Sequence, residues 1–418
     1  MRLLDCNDAS LRLWHEDEAL WSPGIAWFSE GQYRFGEPAW LQARRAPREI
    51  NNRFWHRLST QPLSPALGPA RHTADLVHAH LEALLGDGND DLVLAIPGAM
   101  ESGQLSLLLG ILQTLPASAS SVVHRSALVG AAVGQSCAHI ELQLHQASIT
   151  VVTVENQVAQ AGETQVLPGH GLLGLMDEIA ERIGEQFVTQ TRFDPQRRAE
   201  TEQTLYQQIP DLLQSLATQS EISCTVEGHT ARVTTDALRP AGEAFTRALA
   251  PLLPEAPQHI ALDSLLSALP GLTLPHDRTE TGPEVVPAIA QTMAIPEGAL
   301  HFQREAPCGT STAIESSDAG NTKPEVAAES PSNTEAKADQ EQPPLPATHQ
   351  LVAGCATPLS PGARVAEGAV ISGPAELSIE SGASVQLNGQ PAEGVISLSA
   401  GDQLTTTGVE VLFIAVEP

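Results

Sequence analysis

Positive charge is scarce in this chain and lysine is nearly missing. Among 418 residues there are 22 Lys or Arg against 50 Asp or Glu, a formal charge of -28. The only lysines are Lys323 and Lys337, so no reaction that depends on a lysine can run in the first three hundred residues. A chain without a basic face cannot displace the counterions of a phosphate backbone, nor settle by charge on an anionic bilayer. This excludes nucleic-acid binding and electrostatic membrane docking. Long apolar runs are also lacking: nothing approaches the roughly 18 residues of a spanning helix. Met1-Arg2-Leu3-Leu4-Asp5 has no apolar leader core either, so the expected compartment is the cytoplasm. Cys6, Cys137, Cys224, Cys308 and Cys355 show no CxxC or CxxH spacing, which removes a disulfide framework and a zinc-finger site. His139, His145 and His170 likewise lack metal-ligand spacing and read as ordinary surface or cleft histidines. Aromatics are few, and all five tryptophans fall between Trp14 and Trp55, where they read as core and sheet packing.

What is present is a core-forming composition, 42% apolar, in an alternating order of elements. Short strands are expected at 2–6, 11–14, 26–28 and 32–35, then a helix over 72–85 closed by Gly86-Asp87-Gly88. A buried strand follows at 91–96, a helix at 104–115, a strand at 121–124 and a small-residue helix at 126–134. Residues 138–144 and 147–154 alternate as a hairpin. Helices are expected at 171–189, 197–215, 235–253 and 283–292, with a hairpin over 224–233 and a strand at 259–262. This is an α/β pattern. Residues 305–348 read as an acidic linker rich in Pro, Ser and Ala, which has too few large apolar residues to offset its chain entropy. It divides residues 1–304 from a C-terminal part, 349–418, whose turn signals every six to ten residues predict a small all-β sandwich.

Over most of residues 2–298 the motif order resembles the nucleotide-binding domain of DnaK-type heat-shock 70 chaperones, within the actin-like ATPase fold. Leu4-Asp5-Cys6-Asn7-Asp8-Ala9-Ser10-Leu11 stands where that family has its first phosphate turn. Gly36-Glu37-Pro38-Ala39-Trp40 stands for its Gly-x-x-Ala-Lys block and Val93–Ala99 for its Val-Pro-Ala strand. His124–Gly134 matches its Asn-Glu-Pro-Thr stretch and Glu141–Thr150 its second phosphate hairpin. Asp263-Ser264-Leu265-Leu266 aligns with the adenosine-side glycines, and Pro283–Ala290 with the closing helix.

The resemblance implies an ATP·Mg²⁺ centre at Asp5, Asn7, Asp8, Ala9, Glu141, Gln143, Asp263 and Ser264, with Asp5 and Glu141 as the positions for a residual Mg²⁺ contact. The residues themselves argue against ATP hydrolysis. Phosphate cradles need glycine so that backbone N–H groups can approach closely. Here the first turn has Asn7, Asp8 and Ala9, the second has Gln143, Leu144 and His145, and Asp263-Ser264 lacks both glycines. The family's lysine is Trp40 and its acidic residue is Arg125, so the transferring-phosphoryl cation and the catalytic acid are both gone. The alternative reading of Asp5 and Glu141 is a pair of carboxylates left in a solvated cleft.

In the C-terminal part, Val385-Gln386-Leu387-Asn388-Gly389 followed by Leu398-Ser399-Ala400-Gly401-Asp402 resembles the last strands of a forkhead-associated domain. That resemblance implies a binding loop at Arg364 and Asn388, but no Ser-x-x-His follows Arg364, so phosphopeptide capture is not favoured. The expected function is a chaperone-like pseudo-ATPase serving as a non-catalytic protein-interaction adaptor. The alternative is an ATP-binding chaperone-like protein with residual ATPase activity. The linker and the absence of a substrate-binding domain favour the adaptor, and protein partners are the expected ligands.

Overall fold

The structure is a computed structural model. It describes residues 2–15, 18–86, 88, 91–254, 259–293 and 300–308, and most of 348–414 outside its turns. Residues 309–347, which hold nearly all of the expected linker and both lysines, lie outside the described residues.

The N-terminal part is α/β and contains two six-stranded mixed sheets. The first begins with β1 (Arg2–Asp5), β2 (Arg12–His15) and β3 (Glu18–Trp21), an antiparallel meander. Helix α1 (Thr73–Leu85) leads to β4 (Asp91–Ile96), and α2 (Ser102–Leu112) leads to β5 (Ser118–His124). β4 pairs parallel with both β1 and β5, so the order is β5-β4-β1-β2-β3. After α3 (Arg125–Val133) the second sheet repeats this plan. β6 (Cys137–Leu142), β7 (Gln146–Glu155) and β8 (Val158–Pro168) form a meander. Then come α4 (Leu172–Thr191), α5 (Ala199–Leu216), a hairpin over 221–234 and α6 (Thr235–Leu249). β9 (His259–Leu262) pairs parallel with β6, and β10 (Arg278–Glu280) pairs parallel with β9 across the short helix α7 (Ser264–Ser267). The order β10-β9-β6-β7-β8 thus matches five of the six strands of the first sheet, β5-β4-β1-β2-β3.

Strand alternation places the core on both faces of each sheet. Leu4, Leu92, Leu94 and Ile96 pack outward against α1 and α2, while Leu3, Val93, Ala95 and Val123 point the other way. They meet α3, the helix α8 (Val285–Ala290), and Val152, Ala159 and Ala261 of the second sheet, forming one layer between the sheets. A Cβ on Gly130 would overlap Val152, so glycine permits the close approach of α3 to β7. On its far side the second sheet packs Ile140, Leu142 and Ile149 against α4 and α5.

Several strands went unread in the sequence: β3, β8, β10 and the pair 62–67 with 70–72. The chain from residue 300 does not leave the folded body at 305. β11 (Phe302–Gln303) pairs parallel with β5, and β12 (Glu305–Pro307) pairs with β8. Ala306 is buried there, so the folded part continues through Cys308, where the linker had been expected.

The C-terminal part is an antiparallel sandwich of a six-stranded and a four-stranded sheet. Ile371, Leu377 and Ile379 of one sheet close on Leu404, Val411 and Phe413 of the other. Arg364 opens a strand of the smaller sheet, and nothing is described of its side chain. Asn388 occupies a left-handed turn and donates to Asp402 Oδ1 at 2.7 Å, while Ser399 N–H donates to Asp402 Oδ2, which ties two turns together. No helix among the described residues is long and apolar enough to cross a membrane.

Candidate functional site

The parallel strands of both sheets end at one cleft, where open α/β sheets concentrate their chemistry. Asp5 ends β1, Glu141 is next to last in β6, Arg125 follows β5, Asp263 follows β9 and Thr281 follows β10. The two equivalent β-turns, 6–11 after β1 and 143–145 after β6, face each other across this cleft.

Asp5 and Glu141 are brought together, but neither is solvated: their exposures are 0% and 2%. This corrects the solvated-cleft reading. Arg125 lies between them, with Nε 2.8 Å from Asp5 Oδ1 and Nη1 3.4 Å from Glu141 Oε1. The substitution read as a lost acid therefore also installs a cation, and positive charge is not missing from the centre. Burial pulls the Arg125 guanidinium down, but Asp5 and Glu141 together overcome this and hold it above its ordinary value. Burial pushes Glu141 up to about 7, opposed by Arg125. One oxygen of each carboxylate, Asp5 Oδ2 and Glu141 Oε2, has no hydrogen-bond partner among the described residues.

Asn7 and Asp8 complete the link between the halves. Asn7 Nδ2 donates to Glu141 Oε1 at 3.0 Å and to the Leu142 carbonyl at 3.1 Å. Asn7 Oδ1 accepts from the Ala9 N–H at 3.0 Å, closing the first turn on itself. Asp8 Oδ1 accepts the Leu144 N–H at 2.8 Å, so the carboxylate occupies the donor of the second turn. Burial pushes Asp8 up to about 6, against the Leu144 and Ala9 N–H groups. Gly24 donates to the Asp8 carbonyl at 2.7 Å, and a Cβ at Gly24 would meet Trp55 and Asp8. Gln143 turns toward its own hairpin, accepting from Gln146 Nε2 at 2.8 Å.

Asp263 caps α7 by accepting the Leu266 N–H at 2.9 Å, and burial raises its pKa. Ser264 stands beside it on the wall of a cavity of about 320 Å³ that opens between the sheets. Glu141, Asn7 and Arg125 line the same cavity, as do Trp40, which stands at the position of the heat-shock 70 lysine, and Arg12 and Trp21, which the resemblance did not place in a site. Arg12 and Trp21 sit at equivalent ends of β2 and β3, which pair Arg12 with Trp21. Trp21 and Trp40 meet edge to face at 6.5 Å. The tryptophan-rich segment thus divides: Trp55 is core, whereas Trp21 and Trp40 wall the cavity. The pairing of Arg12 with Trp21 was hidden because β3 carries no alternation that separates it from a loop.

The histidines have individual partners. His139 Nδ1 bonds Ser126 Oγ at 2.9 Å and His145 Nε2 bonds the Asn52 carbonyl at 2.8 Å, while His170 is exposed. Among the described residues no three His, Cys, Asp or Glu side chains cluster as metal ligands. No family model matches the chain, and no curated protein is recognisably similar to it.

Proposed function

We propose that the N-terminal part is an actin-like ATPase fold of the heat-shock 70 kind whose nucleotide centre is satisfied internally, and that the chain serves as a non-catalytic protein-interaction adaptor. The matching strand orders of the two sheets, with their β-turns opposed across one cleft, support the fold assignment. The observation that carries the functional reading is the bond from Leu144 N–H to Asp8. A phosphate at that turn would meet a carboxylate in place of a free donor. Arg125 stands between the two carboxylates suited to a metal. Mg·ATP does not fit this set: it would have to displace a buried ion triad and accept like charge from Asp8. The sandwich supplies a second contact surface, and partners of both surfaces are proteins in this reading.

Calorimetric titration of the full chain with ATP and ADP, with and without Mg²⁺, tests the proposal. The expected result is no heat of binding up to about 1 mM, where a ligand worth roughly -4 kcal/mol would register. The second reading, residual nucleotide binding, draws on the cavity beside Glu141 and Asn7. Micromolar binding that disappears in Asp5→Ala would establish it in place of the first.

A further inference from the structure

The segment 44–57 reverses the charge of the chain. Arg44, Arg45, Arg48, Arg53 and Arg57 fall within it, against a single carboxylate, Glu49. Glu49 accepts from Trp27 Nε1 at 3.0 Å, and Arg44 pairs with Asp177 and Glu202. Arg45, Arg48, Arg53 and Arg57 are exposed, and none has a carboxylate partner among the described residues. Arg53 borders a cavity of about 600 Å³ whose other charged or titratable walls are Arg44, Asp177, Glu202, His56 and His145. The two carboxylates gather around Arg44, and Tyr206 also donates to Asp177. Around the histidines the field has the other sign. The His56 and His145 rings lie 5.5 Å apart, and Arg53 and Arg57 act on both. Burial first, then Arg53 and Arg57, lower the His56 pKa, and no carboxylate offsets them. Burial lowers His145 to about 4, opposed by its bond to the Asn52 carbonyl, with Arg53, His56 and Arg57 adding to the fall. Imidazoles kept neutral beside unpaired guanidiniums mark a positive potential that a ligand anion would offset.

We propose that segment 44–57 and the cavity beside it form the docking surface for an acidic segment of a partner protein, its Asp or Glu carboxylates bonded to Arg53 and Arg57. This rests on the adaptor reading above and gives it a partner chemistry. Guanidinium groups take carboxylates bidentately, and unpaired ones do so without first breaking another pair. Ala43, Pro47 and Ile50 also border the cavity, so one stretch of chain supplies both guanidiniums and apolar contact. Arg45, Arg48 and Arg57 lie outside the cavity lining, where a peptide reaches and a small ligand held inside does not. A nucleic-acid backbone would carry its charge on past these arginines over a chain of net charge -28, whereas a short acidic segment ends within them.

The test is fluorescence anisotropy of the full chain with a labelled hexaglutamate peptide and its hexaglutamine counterpart in about 100 mM NaCl. Hexaglutamate should bind with Kd below about 1 mM, at least about tenfold tighter than hexaglutamine, and weaken markedly at about 500 mM NaCl. Arg53→Gln with Arg57→Gln should weaken it about tenfold or more, while Arg247→Gln, exposed on α6, should leave it unchanged. Arg53→Gln alone supplies the decision if the double variant does not fold. Replacing the acidic residues of 309–347 by Gln and Asn should change the affinity by less than about threefold. A larger rise would assign the surface to that segment of the same chain and overturn the partner. Hexaglutamate binding weaker than about 1 mM, unchanged affinity in the folded arginine variants, or tighter binding of a DNA duplex would also overturn the proposal. A parallel ATP titration separates the two readings. Micromolar ATP binding that persists in Arg53→Gln overturns the adaptor reading, whereas silence toward both ATP and hexaglutamate overturns this proposal alone.

Discussion

Arg125 is the residue on which the centre of the molecule depends. Its side chain is 11% exposed and holds two carboxylates that are almost wholly buried. Removing one member of such a set leaves uncompensated charge, so Arg125→Ala should destabilise by about 3–5 kcal/mol in denaturant titration. The combined change Arg125→Met, Asp5→Asn and Glu141→Gln should recover much of that loss, because it removes the charges together. Asp8 behaves differently. Its pKa is raised from 3.8 to about 6 in the fold, so the folded protein binds the proton more tightly than the unfolded chain. Its stabilising contribution is complete below the unfolded value and is lost as pH rises through about 6. Asp8→Asn, whose amide oxygen still accepts from Leu144, should therefore gain up to about 3 kcal/mol over wild type at pH 7.5 and almost nothing at pH 4. A gain that does not change with pH would refute this. His80, His124 and His145 carry the opposite sign. Burial lowers them to about 3, 4 and 4, so each costs stability as pH falls below its unfolded value of 6.5. His80 accepts from Trp55 Nε1 on Nδ1, which leaves its Nε2–H to donate to Ser22 Oγ.

At the scale of elements, α5 ties the two halves together over the cleft. Gln203 donates to the Trp40 carbonyl at 3.1 Å and accepts the Arg44 N–H at 2.9 Å. Arg44 lies 3.8 Å over the Tyr206 ring and pairs with Asp177 and Glu202. Gln203→Ala should leave the core intact but speed amide exchange over residues 40–46, an opening measurable without global unfolding. Close packing of α6 is stricter. A Cβ on Gly242 would run into the backbone at Pro270 and Leu272, so Gly242→Ala should lower stability by roughly 1–3 kcal/mol although alanine favours helix. Element type was legible wherever apolar spacing ran long, as in α1, α4 and α5. It failed at β3, which is exposed at every position, and at β12, where three residues become a strand only because β8 offers an open edge.

For the whole molecule the charge of -28 sets the behaviour. Repulsion among excess carboxylates is long-ranged and falls with the Debye length, so Tm should rise by a few degrees between about 20 and 500 mM NaCl. A Tm that falls with salt would show that specific ion pairs outweigh the net repulsion.

Composition and periodicity were enough to set the α/β class, the order of most elements, the all-β C-terminal part and the poverty of phosphate-cradling glycines. These are properties of neighbouring residues, governed by local backbone freedom and by burial of one face. What surrounds Asp5 and Glu141 lay beyond that reach. They are 136 positions apart, and their meeting, their burial and the placement of Arg125 between them follow from two sheets closing on a shared layer. Which charged side chains share the cavity was likewise settled only by folding. A carboxylate's influence depends on which guanidinium stands beside it and how much water is excluded, and neither is a property of nearest neighbours in the chain.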